Sequence, residues 1–125
     1  MNITFKEQRL FPLLEQYRAK FPIDKNTIFA LGDTIYTNQN LPNHLIAHEK
    51  KHLEQQEERG LKEWIYDYLE DPGFRLSQEV AAYKVQLETI TDRNARSNQR
   101  ELCIKDLCSD LYGHILTREQ AEKLI

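Results

Sequence analysis

Between Pro42 and Gly60 the chain runs without a proline or glycine, and that stretch contains His48-Glu49-Lys50-Lys51-His52, the pattern H-E-x-x-H. No other feature constrains the fold as much, because these residues can act together only on a helix. Helical positions i and i+4 lie one above the other, so two imidazoles at that spacing reach a single metal ion. The glutamate between them points about 100° round the helix from the first histidine, beside the ion rather than onto it. Two neutral nitrogen ligands and a nearby carboxylate base suit a metal that activates a water. Pro42 fits the first turn, where its missing N–H costs nothing, with Asn40 or Asn43 as the cap. Gly60 fits a left-handed C-terminal cap. Leu45, Ile46 and Leu53 make one apolar face, with Lys50, Glu54 and Glu57 opposite in solvent. His48 and His52 fall at the edge between these faces, where a buried site would be built.

Catalytic zinc takes three protein ligands and leaves a fourth position to water. The third ligand predicted here is Glu79, in the helical run from Ser77 to Leu87. Asp71-Pro72 can open that helix as cap and first residue, or Ser77 can open a shorter one. Glu79, Ala82, Tyr83 and Gln86 share a face, and alanine one turn beyond the carboxylate lets a second helix come close. Taken singly, Glu79 reads as a solvated helix glutamate and the histidine pair as two half-exposed side chains on a charged helix.

H-E-x-x-H followed some tens of residues later by E-x-x-A on another helix resembles the gluzincin branch of the zincin metallopeptidases. Here those elements are His48-Glu49-Lys50-Lys51-His52 and Glu79-Val80-Ala81-Ala82. The wider string adds Gly32-Asp33-Thr34-Ile35-Tyr36, Leu41-Pro42 and Asp71-Pro72, and resembles small stand-alone zincin-like proteins of bacterial and phage genomes. It spans roughly residues 27–90. The resemblance implies one Zn2+ per chain on His48, His52 and Glu79, with Glu49 as general base and acid. It implies a zincin-like α+β fold, predominantly helical, with a short hairpin packed beside the metal-binding helix. Gluzincins often carry an aspartate after E-x-x-A that supports a histidine ligand, whereas this chain has Tyr83 there. Some small stand-alone zincins are kept latent by a terminal segment over the metal. On that model, residues after about Leu116 are expected to cap the cleft.

The runs Thr27-Ile28-Phe29-Ala30-Leu31 and Thr34-Ile35-Tyr36-Thr37 are β-branched and aromatic and flank Gly32-Asp33, a hairpin turn pair. A zincin places an edge strand beside the metal, where an extended peptide could add as another strand; otherwise the hairpin merely covers the helices. Lys6 to Lys20 reads as an amphipathic helix bent or delayed by Pro12. Leu61 to Glu70 reads as a helix packing through Trp64, Ile65, Tyr68 and Leu69, and Asp71-Pro72-Gly73 ends it. Arg96 to Tyr112 is a predicted helix with Leu102, Leu107 and Leu111 in the core, and Arg93 to Arg100 a solvated turn or helix start. Gly113 breaks it, and Thr117-Arg118-Glu119-Gln120 resembles a capping box that opens a last helix to Ile125.

A chain of 125 residues, 40% hydrophobic, fits a single domain over 1–125 with a modest core. No run approaches the roughly eighteen apolar residues of a membrane span, and the N-terminus lacks a signal peptide's basic start and apolar block. That makes a cytoplasmic protein without membrane partners the expectation, with a place in a virion or release by lysis open to a phage protein. Cys103 and Cys108 are five apart on a helix, point apart, and read as reduced, half-buried thiols. A net charge of −3 weighs against a nucleic-acid partner.

The expected function is a zinc metallopeptidase acting on a peptide or protein substrate through a water activated by Glu49. A second donor for the developing oxyanion comes from Tyr83, His44 or Arg75, with Tyr83 preferred one turn from Glu79; His114 reads as unrelated. Two alternatives stay open. One is a catalytically silent zincin with a structural or regulatory zinc. The other is a metal-free helical interaction module, which the acidic pI of 5.8 fits as well. Oligomeric state has no signature in the sequence.

Overall fold

The computed structural model describes residues 2–109, 112 and 115–125. It is predominantly helical, with one small sheet, an α+β arrangement. The sheet has strands β1 (Thr4–Lys6), β2 (Phe29–Leu31) and β3 (Thr34–Tyr36) in the order β1-β3-β2. The hairpin lies where its residues predict it. Leu31 pairs with Thr34, and Gly32 takes φ 67 in the turn, a conformation glycine adopts without strain.

The N-terminal region differs from the amphipathic helix expected over Lys6 to Lys20. It forms β1, then a 3-10 turn at Gln8–Leu10, then the short helix α1 (Leu14–Arg18). Thr4–Lys6 pairs in parallel with Thr34–Tyr36, a distant partner that no local periodicity can reveal. The Gln8 amide then donates to the carbonyls of Asp24 at 2.8 Å and Thr27 at 2.7 Å, tying this turn to the segment that leads into β2.

Among the described residues the helices α2 (Asn43–Arg59), α3 (Leu61–Glu70), α4 (Pro72–Glu88), α5 (Arg93–Leu107) and α6 (Arg118–Leu124) follow. The bounds of α2 are those its composition predicts, but Pro42 itself is the cap position and no side chain caps it. The Pro42 carbonyl accepts from the N–H groups of Leu45 and Ile46, both at 3.1 Å. Gly60, at φ 102, ends α2 and starts α3 in one residue, and a Cβ there would lie 2.4 Å from Glu63 Oε2. Asp71 caps α4 by accepting from the N–H groups of Gly73 and Phe74 at 3.0 and 3.1 Å, with Pro72 as first residue.

Helix α5 starts three residues before its expected N-terminus, because the Asp92 carboxylate accepts from Ala95 N–H at 2.8 Å. It ends at Leu107 rather than Tyr112, and turns Cys103, Ile104 and Leu107 inward while leaving Leu102 54% exposed. Leu102 is therefore not the core residue expected. Leu111, Gly113 and His114, expected as core residue, helix breaker and bystander, lie outside the described residues. The capping box of α6 is present, with Thr117 and Gln120 bonding reciprocally at 3.2 and 2.9 Å.

Helices α2 and α4 pack along each other, and α2 also packs on β2. Apolar packing falls into three clusters. Tyr83, Leu87, Ile104, Leu107 and Ala121 join α4, α5 and α6; Phe11, Tyr17, Phe29 and Tyr36 join the N-terminal segment to the sheet; Ala30, Ile35 and Leu53 join the sheet to α2. Gln56, 1% exposed, sits beside the last cluster. Its amide nitrogen donates to the Ala30 carbonyl at 2.9 Å and its oxygen accepts from Gly32 N–H at 2.8 Å, so one side chain takes up the edge of β2 there. Cys103 and Cys108 are free thiols. Cys103 is fully rather than half buried, and burial pushes its pKa up to about 12. Among the described residues no helix is long and apolar enough to cross a membrane.

Candidate metal centre

Where α2 and α4 run together, His48 and His52 on the first helix face Glu79 on the second. The Nε2 atoms of His48 and His52 each lie 3.0 Å from Glu79 Oε1. One ligand atom from each of the three residues lies within 4.8 Å of the other two. Ala82, one turn beyond Glu79 and 0% exposed, allows this close approach. All three side chains are buried, at 7%, 5% and 6% exposure.

The outer ring nitrogens are held by glutamines. His52 Nδ1 lies 2.9 Å from Gln55 Oε1, and Gln55 Nε2 donates to the Gln78 carbonyl at 3.0 Å. A backbone carbonyl can only accept, so the amide nitrogen of Gln55 must face Gln78 and its oxygen must face the imidazole. His52 therefore carries a proton on Nδ1, and Nε2 is the atom turned to Glu79. That nitrogen donates to the carboxylate in the metal-free protein and is free to bind a metal once its proton leaves. His48 repeats this, with Nδ1 2.8 Å from Gln86 Oε1, while Gln86 Nε2 donates to Gln99 Oε1 at 3.2 Å. An acceptor for the outer N–H is what fixes a histidine for metal ligation.

Charge is concentrated in this small volume. Burial alone would raise the pKa of Glu79, but His52 and His48 more than offset it and hold the carboxyl well below its usual range. Burial would lower His52; the Glu79 charge and hydrogen bond outweigh it and lift the imidazole to about 9. A buried carboxylate that stays ionised, faced by two Nε2 atoms, is a place for a cation, and without one His52 supplies positive charge beside it. Two nitrogens and one oxygen form the donor set of catalytic zinc sites. The group could hold a metal ion.

Glu49 stands beside the group, its Oε2 3.9 Å from His48 Nε2, and is 8% exposed. Burial raises its pKa, and the two imidazoles only partly oppose that. Tyr83 packs its ring 4.9 Å from that of His48 and bonds through its hydroxyl to Asp106 and Tyr112, both at 3.4 Å. These residues border a cavity of about 500 Å³, which His44 and Arg75 also line. Arg75 Nη1 donates to the Tyr68 carbonyl, and its guanidinium lies 4.9 Å over the ring of Phe21.

The terminal cap expected after Leu116 is not found over the centre. Among the described residues no side chain beyond Tyr112 lines the cavity, and Ala121 of α6 packs into the apolar cluster with α5. The N-terminal segment stands there instead, through Tyr17, Phe21 and Ile23. The hairpin does flank the cavity, through Thr27 to Ala30, although Gln56 already occupies the edge of β2 at Ala30 and Gly32.

From sequence Gln55 had no assigned role, Tyr68 only a packing role on its helix, and Gln86 only a place on the Glu79 face. Tyr68 donates to Glu79 Oε2 at 2.6 Å. The glutamines had a usable signal, since Gln55 lies at i+3 from His52 and Gln86 at i+7 from Glu79, each on the ligand face. Tyr68 had none, because its reach depends on how α3 folds back on α4. No protein-family model, no curated protein and no solved structure matches this chain, so the centre's own geometry bears the functional reading.

Proposed function

We propose that this chain is a zinc-dependent peptidase of the gluzincin kind, with one zinc on His48, His52 and Glu79 and Glu49 as its base. The observation that carries the reading is the buried convergence of two Nε2 atoms on one carboxylate oxygen, beside a second carboxylate of raised pKa at a cavity wall. When bound, zinc would supply a Lewis acid that polarises a carbonyl and acidifies water. Everything else falls to the protein's side chains.

With zinc bound, His48 and His52 would present Nε2 to it while Gln86 and Gln55 accept from the outer N–H groups. Glu49 accepts a proton from the attacking water as its oxygen bonds to the substrate carbonyl carbon. When the C–N bond breaks, Glu49 returns that proton to the departing amine nitrogen. A carboxylate whose pKa is raised by burial takes up the proton more readily than a solvated one. Tyr83 is the proposed donor to the carbonyl oxygen as charge develops; its present bonds, both 3.4 Å, are at the long limit and release the hydroxyl easily. A peptide would lie along Thr27 to Phe29, the part of the hairpin that borders the cavity clear of Gln56.

The deciding experiment pairs metal analysis with turnover. Wild type should carry about one zinc per chain by elemental mass spectrometry and cleave members of a peptide library. Glu49→Gln should keep the zinc and lose cleavage by about 100-fold or more. Cleavage that survives in Glu49→Gln with zinc retained would remove Glu49 as the base. A second reading, zinc held without turnover, is favoured by the burial of every ligand below a tenth exposure. It expects bound zinc and no cleavage in either protein.

A further inference from the structure

We propose that Tyr68 is a positioning residue of this centre: by holding one oxygen of Glu79, it makes that carboxylate a one-oxygen ligand and keeps a coordination position open for substrate. The inference rests on the metal reading above. A carboxylate can bind a metal through one oxygen or both, and the second oxygen would take the position that catalysis needs.

The two oxygens of Glu79 are engaged differently. Oε1 faces both imidazoles at 3.0 Å, whereas Oε2 is turned to the Tyr68 hydroxyl at 2.6 Å. That length is in the range of a charge-assisted O–H···O⁻ bond, among the stronger hydrogen bonds in proteins. The phenol O–H donates and the carboxylate oxygen accepts. Tyr68 is the hydrogen-bond donor to Oε2, so this restraint comes from α3, an element that contributes no ligand.

The hydroxyl is also held in place. The ring of Tyr68 stacks on that of Trp64 at 4.7 Å and 19°. Trp64 Nε1 donates to Gln78 Oε1 at 2.8 Å, and Arg75 donates to the Tyr68 carbonyl. Thus α3 is fastened to α4 at Arg75 and at Gln78, within the turn that leads into Glu79. Gly60 sets where this begins, because α3 leaves α2 through a single residue of positive φ. An oxygen held by a fixed donor cannot swing onto the metal without breaking that bond. A purely structural tyrosine would contribute stability and leave the metal's coordination alone.

Cobalt(II) in place of zinc reads coordination directly, since four-coordinate cobalt absorbs visible light several-fold more strongly than five-coordinate cobalt. Wild type loaded with cobalt should give the strong spectrum. Tyr68→Phe should give a several-fold weaker one, with zinc affinity reduced roughly 10–100-fold in chelator competition. Unchanged spectrum and affinity, with only the melting temperature lowered, would overturn the proposal. A crystal structure of zinc-loaded wild type gives an answer even if the variant fails to fold. Glu79 Oε2 on Tyr68 and off the metal is expected, and both oxygens on the metal would overturn the role. Wild type that binds neither metal would instead sink the metal reading itself.

Discussion

The contact between α2 and α4 and the cluster that joins α4 to α5 and α6 are both buried, yet they are built on opposite rules. Across the first lie His48, His52, Gln55, Glu79 and Gln86, each needing one particular partner atom. Across the second lie Leu87, Ile104, Leu107 and Ala121, which need only space filled. A single helix, α4, serves both, with Glu79 and Gln86 turned to α2 and Leu87 turned to α5. Buried polar groups that lose a partner cost about 1–3 kcal/mol each, whereas a satisfied polar contact gives little more than an apolar one of similar shape. Stability therefore does not account for the α2–α4 contact, whereas the proposed metal role would. Substitutions in the two regions should separate binding from folding.

The sharpest break is His48→Ala. Zinc should be lost from the purified protein by elemental mass spectrometry, a larger effect than the roughly 10–100-fold that losing an outer partner costs. Leu107→Ala is its counterpart in the apolar cluster, at a side chain with 0% exposure. Denaturant unfolding should show about 2–5 kcal/mol of lost stability, with zinc stoichiometry unchanged in the folded protein. If Leu107→Ala emptied the metal site, the two regions would not be separable. Gln86→Ala leaves every ligand in place and frees only the outer nitrogen of His48. Its zinc affinity should fall roughly 10–100-fold in chelator competition, with little change in the fold.

The smallest effect is one of pH. In the metal-free protein burial would lower His52, but Glu79 raises it from 6.5 to about 9. A folded-state pKa above the unfolded one contributes stability that is complete below pH 6.5 and lost as pH rises through about 9. The melting temperature of the metal-free protein should therefore fall across that window. Zinc needs both imidazoles unprotonated, so the increment in melting temperature that zinc confers should grow across it. Leu107→Ala should keep both trends and His52→Ala should lose the first. A metal-free protein whose stability is flat from pH 6.5 to 9 would show that the Glu79–His52 pairing is absent in solution.

The parts of the fold that could be read from sequence were those set by local signals. Gly60 and the unbroken run before it bound α2, Gly32-Asp33 marks the hairpin, and Asp71-Pro72 starts α4. Glu79 was legible because the distance along the chain from the histidine pair and the alanine one turn on are both sequence properties. What escaped depended on partners far along the chain. Strand β1 exists because Thr34–Tyr36 lies beside it, and Gln8 is buried because its amide meets carbonyls of residues 24 and 27. Leu102 and Ile104 carry the same apolar signal, and only the docking of α5 on α4 decides that the second is the one inside. Tyr68 escaped for the same reason, as its role begins only where α3 meets Glu79.

Gln56 has a consequence for how copies of this protein behave together in solution. An uncovered strand edge is a template on which a neighbour's strand can grow, the first step toward aggregates and fibres. At β2 that template is filled, since Ala30 and Gly32 already bond to the Gln56 amide. At the other end of the sheet, β1 spans three residues and carries an exposed Lys6, both of which discourage such growth. Colloidal good behaviour at the β2 edge thus rests on one neutral amide, carried by the helix that bears His48 and His52.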